Sequence, residues 1–212
     1  QGSNPLSVAH KMYLDGKEIT ELVIPDGIEK VKDYAFAHWT NVTSVFIPNS
    51  VKSIGNYAFQ GCKSVTSVDI SNSVTSIGNR AFSDCTNLSA VTLPQSVTTI
   101  GDLAFCRCSE IRSVELPSSV KTIGSAAFTD CSNLSSITIP DSVTDIGNST
   151  FFNCIKLATV NIPKSVTAIG YNVFYNCSSL SSITIPDAVT SIGTNAFYGC
   201  QNLATIKSLN PT

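Results

Sequence analysis

Charge is what this sequence has least of. Asp, Glu, Lys and Arg make up 13% of its 212 residues, about half the usual share of roughly 25%, so Ser, Thr and Asn must supply the solvated surface. Neither sign dominates. Lys and Arg number 13 against 15 Asp and Glu, which leaves no basic excess to neutralise phosphates or dock on anionic lipid, and no nucleic acid partner is expected. No stretch reaches the roughly 18 consecutive apolar residues of a spanning helix, so no direct membrane insertion is expected of these residues.

Chemistry-bearing motifs are equally scarce. The two histidines, His10 and His38, have no H-E-x-x-H context and no second ligand cluster, so no metal is expected. G-x-S-x-G, G-x-G-x-x-G, phosphate-loop and calcium nonapeptide signatures are all missing. The expectation is a chain that is not an enzyme, with no catalytic residue and no cofactor. The opening Gln1-Gly2-Ser3 reads as the remnant of a cleavable tag over residues 1–3, and no charged segment followed by an apolar core marks a signal peptide.

What the chain does have is one repeat, written eight times. With Leu22 as position 1 of a 23-residue unit, position 15 is Phe36, Phe59, Phe82, Phe105, Phe128, Phe151, Phe174 and Phe197, without one insertion. Eight units fill 22–205, and residues 206–212 start a ninth that stops short. Positions 1 and 3 are aliphatic around a mostly polar position 2, the period of a strand with one buried face. Pro follows at position 4 except at Ser71, ending the strand's hydrogen bonding. Positions 7 and 10 are aliphatic. Gly holds position 11 from Gly55 to Gly193, for a left-handed turn or for close packing. Position 12 is a capping residue in every unit but that of Tyr171, so positions 12–18 predict one short helical turn burying positions 14, 15 and 18, with Tyr171 costing its unit some helix stability.

A single unit buries about eight side chains worth roughly 1.5–3 kcal/mol each for the large ones, against roughly 1–2 kcal/mol of backbone entropy for each ordered residue. One unit cannot fold alone. Stacking is required, with the strands at positions 1 to 3 joined about 4.8 Å apart in a parallel sheet. The expected fold is an α/β solenoid: a curved stack of 23-residue units with that sheet on the concave face and short helical turns opposite. Residues 4–21, with Met12 and Leu14 alternating before Asp15-Gly16 and Ile19 in phase with the first unit, predict an N-terminal capping hairpin.

Text such as "VTLPQSVTTIGDLAFCRCSEI" and "ITIPDSVTDIGNSTFFNCIKL" resembles the BspA-like leucine-rich repeats, over nearly the whole chain, 22–209. Departures are few: Ser71 for Pro, Thr150 and Val173 for Ala, Ala188 for Ser, and Trp39 for Cys. The resemblance implies a leucine-rich-repeat stack from an extracellular or cell-surface bacterial protein, used for adhesion to host proteins or cells. It brings no catalytic residue with it.

Position 18 is Cys62, Cys85, Cys108, Cys131, Cys154, Cys177 and Cys200. An odd column of parallel side chains cannot pair fully into disulfides, so buried free thiols acting as small hydrophobes are expected, with Trp39 replacing Cys on volume. Cys106, at position 16, is expected to be partly exposed and reactive.

Two surfaces are candidates for a partner. The position-2 column presents Phe46, Asp69, Thr92, Glu115, Thr138, Asn161 and Thr184; solenoids hold extended partners on such a face, the alternative being a merely solvated sheet. Position 16 of the last three units carries Phe152, Tyr175 and Tyr198, an aromatic ladder suited to protein interfaces or sugar rings, or one that simply shields itself. The expected partner is a host protein or cell-surface ligand, with a glycan as an alternative and a structural spacer that binds nothing as a third reading.

Overall fold

The computed structural model describes residues 13, 14 and 16–208. The tag remnant at 1–3, His10, Met12, Asp15 and the last residues of the ninth unit lie outside the described residues. Strand β1 (Tyr13–Leu14) pairs antiparallel with β2 (Lys17–Glu18), Leu14 opposite Lys17. Gly16, at φ 76°, supplies the left-handed residue that a two-residue hairpin turn needs.

From Glu21 onward the chain winds as a parallel β-solenoid of about eight turns, each coil contributing two short strands. The strand at positions 23 to 3 begins with Glu21–Val23 and recurs through Ser44–Ile47 and Ser67–Ile70 to Thr205–Ser208. Its position-1 and position-3 side chains enter the core and position 2 faces water, as in the exposed-buried alternation of Ser182–Ile185. A second strand, only two residues long, occupies positions 9 and 10. Its eight copies, Lys30–Val31 through Ser191–Ile192, form one unbroken parallel sheet.

The expected helical turns are not there: among the described residues no helix forms. Positions 13 and 17 are left-handed in every coil, as at Arg80 (φ 54°), Asp84 (φ 60°), Leu103 (φ 56°) and Arg107 (φ 60°). A helix cannot tolerate that alternation. Hydrogen bonding explains why it persists. The Arg80, Phe82 and Asp84 amides each donate 2.8 Å bonds to Asp102, Ala104 and Cys106 of the next coil, while Ala81, Ser83 and Cys85 donate backwards to carbonyls three residues earlier. Alternate donors thus serve the next coil instead of an internal ladder, and the inter-coil bonds hold residues in a conformation that costs an L-residue roughly 1–2 kcal/mol.

Position 12 is reassigned for the same reason. Its side chain caps no helix but accepts from the position-12 amide one coil on: Asn56 N–H to Asp33 Oδ1 (2.9 Å), Asn79 to Asn56 (2.8 Å), Asp102 to Asn79 (2.9 Å) and Ser125 to Asp102 (2.7 Å). The Tyr171 amide donates such a bond to Asn148 Oδ1 at 3.1 Å, but its side chain has no suitable oxygen to offer the Thr194 amide. Of the two roles open to the position-11 glycine, close packing is the one found: a Cβ on Gly101 would lie 2.5 Å from Asn79 Oδ1 and 2.7 Å from the Gly78 carbonyl carbon. Position 11 of the first coil is Lys32.

Between the walls runs a column of phenylalanines, with successive rings from Phe36 to Phe197 stacked at 5.2–5.9 Å and tilted by 4–13°. Thr150, fully buried in the Ala column, satisfies its hydroxyl on the Gly147 carbonyl at 2.5 Å.

Candidate binding faces

The position-2 side chains of the sequence reading all lie exposed on one strand wall, in direct register but not in one continuous ladder. Val23, Phe46, Asp69 and Thr92 are paired neighbours. Glu115, Thr138 and Asn161 form a second run, and Thr184 pairs with Lys207 in a third. Two seams separate the runs, at Thr92 to Glu115 and at Asn161 to Thr184, and a shallow depression opens at each. Position-22 hydroxyls brace several coils to the one before, as Thr43 and Thr66 donate to the Thr20 and Thr43 carbonyls and Ser89 to the Thr66 carbonyl at 3.3 Å. The seams do not follow them, since Ala158 and Ala204 have no such hydroxyl and their strands still pair in register.

One end of this wall differs from the rest in chemistry. Val23 and Phe46 are 63% and 45% exposed, an adjacent apolar pair at the head of a column that is otherwise polar. Phe46 lines two depressions, one with Glu21, Val23 and Asp69 and one with Asp26, Pro48 and Asp69.

The aromatic ladder also assembles. Phe152 stacks on Tyr175 at 4.7 Å and 10°, and Tyr175 on Tyr198 at 4.9 Å and 22°. Tyr175 is stacked on both sides, whereas Tyr198, 61% exposed, has a ring partner on one side only among the described residues. A second stack escaped the sequence reading: Tyr34 and Tyr57 lie 4.5 Å apart and nearly parallel, with the Arg80 guanidinium 5.7 Å from the Tyr57 ring. The signal that could have found it is phase, since all three occupy position 13.

The model of the BspA type leucine rich repeat region matches six copies across residues 7–135 and 98–211. The chain belongs to the BspA-type leucine-rich repeat family. Among solved structures, a leucine-rich repeat protein from Bacteroides ovatus superposes with a TM-score of 0.78 at 29% identity, over 88% of this chain and 56% of its own length. The T. pallidum leucine-rich repeat protein gives 0.72 at 28%, over 87% and 83%. The pneumococcal vaccine antigen PcpA, at 22% identity and 0.55 over 90% of this chain and 60% of its own length, shares the fold. This chain therefore spans little more than half of the B. ovatus relative. No curated protein matches the sequence.

In this BspA-type stack the seven thiols of the cysteine column are unpaired, as expected, and so is Cys106. Volume is only part of its role. Each position-18 thiol donates to the carbonyl of the Phe one coil earlier, from Cys62 to Phe36 (3.1 Å) through Cys131 to Phe105 (3.2 Å) to Cys200 and Phe174 (3.0 Å). Trp39 stands where no in-phase Phe precedes it, and its buried indole N–H has no partner among the described residues. Burial pushes these thiols up, Cys62 to about 12. Cys106 departs from the expectation of an exposed thiol: it is 5% exposed, beside equally buried Ser83. Arg107 flanks it, held between Asp84 (3.3 Å) and Asp130 (3.7 Å), and burial raises the Cys106 thiol to about 11.

Proposed function

We propose that this chain is a non-enzymatic binding module of a secreted or cell-surface protein, adhesin-like, which recognises a host protein or cell-surface ligand through its position-2 wall. The observation that carries the reading is the exposed Val23–Phe46 pair. An aromatic of this kind, set in depressions and surrounded by polar side chains, has the character of a binding hot spot rather than of a solvated sheet. The repeat supports it physically, because strands locked to their neighbours present the wall with little ordering left to lose on binding. Mutual stacking occupies both faces of Tyr175, which makes face-on packing of the ladder against sugar rings the weaker alternative.

The test is binding of this chain to immobilised arrays of host proteins and glycans. Saturable binding to a protein that Phe46→Ser reduces supports the reading. Saturable glycan binding removed by replacing Phe152, Tyr175 and Tyr198 with Ser supports the glycan reading instead, and no saturable binding at all supports a spacer.

A further inference from the structure

The Val23–Phe46 wall differs from the rest of the face in charge as well as in polarity. Glu21, Asp26 and Asp69 border its two depressions, and neither depression is lined by Lys or Arg. All three carboxylates are exposed, and none takes part in an ion pair among the described residues. The contrast with Asp84 and Asp130 is informative, since those two hold Arg107 between them. Along positions 23 to 5, Glu115, Asp141 and Asp187 carry the acidic sign further, and cations appear only at Lys164 and Lys207, toward the far end. An apolar anchor ringed by unpaired carboxylates selects for a partner of one kind.

We propose, building on the binding role of this wall, that its occupant is a cationic protein segment: an extended stretch carrying an apolar side chain that packs on Val23 and Phe46, flanked by Lys or Arg that reach Glu21, Asp26 and Asp69. The apolar contact supplies the affinity that persists in salt. The carboxylates supply steering and sign selectivity, which salt screens. A neutral apolar partner would gain nothing from the carboxylates, and an acidic one would be repelled.

Fluorescent peptides of defined composition test this on the whole chain: one with a central Leu flanked by Lys and Arg, its charge inverse with Asp and Glu, and the basic peptide with Gly for Leu. The basic Leu peptide is expected to bind most tightly, with affinity falling about tenfold between 50 mM and 500 mM salt. Phe46→Ser and Asp69→Asn are each expected to weaken it about fivefold, with denaturation midpoints unchanged. Equal affinity for the charge-inverted peptide overturns the proposal, as does full binding by Phe46→Ser. An array protein bound through Phe46 but indifferent to salt and to Asp69→Asn also overturns it, while leaving the binding role of the wall intact.

Discussion

The Cys108 thiol donates a 3.1 Å hydrogen bond to the carbonyl oxygen of Phe82, one coil earlier. That carbonyl also accepts from the Cys85 amide at 3.3 Å, so the thiol completes an acceptor that a buried backbone would otherwise leave half used. A donor held in this way stays protonated, and thiolate is the reactive form. Native protein treated with a small alkylating reagent is expected to leave Cys62, Cys85, Cys106, Cys108, Cys131, Cys154 and Cys177 unmodified, with half-buried Cys200 reacting first. Mass mapping of the adducts checks this; rapid native labelling at Cys106 or Cys108 would contradict it.

The same thiols make the fold sensitive to alkali. Burial raises the folded values of Cys62 to about 12 and Cys106 to about 11 from an ordinary 9.0. Above pH 9 the unfolded chain has therefore released protons that the folded chain keeps. Their stabilisation is complete below pH 9 and is lost as pH rises toward 11 to 12, by up to about 1.4 kcal/mol per pH unit for each thiol. Denaturant midpoints should fall between pH 8 and pH 10.5, and fall less in Cys106→Ala. An identical fall in the variant would remove Cys106 from the account.

Ala126 separates the observed turn from the expected helix. In a helix, Ala126→Gly would cost roughly 1 kcal/mol. At its observed φ of 56°, glycine relieves a left-handed strain of about 1 kcal/mol. The midpoint of denaturation is expected to rise or hold, and a clear drop would favour a helical turn.

Much of this architecture was legible in the sequence, because burial repeats in phase with chain length: Phe36 through Phe197, the Val and Ile of positions 1 and 3, and the cysteines each declare a column. The helical turn was misread for a physical reason. Positions 14, 15 and 18 have helical spacing and Asn56 looks like a cap, yet the partner of each decisive group lies 22 or 23 residues away, where reading one unit cannot find it. The second strand was missed because two residues such as Thr99–Ile100 carry no alternation to detect. Cys106 was misplaced because depth at position 16 depends on the neighbouring coils: Ala37 and Ser83 are buried there, whereas Tyr198 is 61% exposed. Of the candidate site, residue identity and register were readable, but not the seams that divide the wall.

Tyr171 interrupts the position-12 ladder, so restoring an acceptor should help. Tyr171→Asn is expected to stabilise the protein by about 0.5–1 kcal/mol through a new bond to the Thr194 amide, at an exposed site where little packing is lost. Asn79→Ala, which removes the acceptor of the Asp102 amide, is expected to shift the midpoint by a similar amount in the opposite direction.

The central claim is that the coils are locked to one another through alternate backbone donors, which makes the wall a rigid surface. Hydrogen exchange at the Arg80 amide tests it most directly. As the first residue of a helical turn, Arg80 would leave its amide free and fast to exchange. Bonded to the Asp102 carbonyl at 2.8 Å, it is expected to be as protected as the Val68 amide in the strand wall. Exchange at Arg80 near the rate of an unfolded chain, with Val68 still protected, would contradict the account.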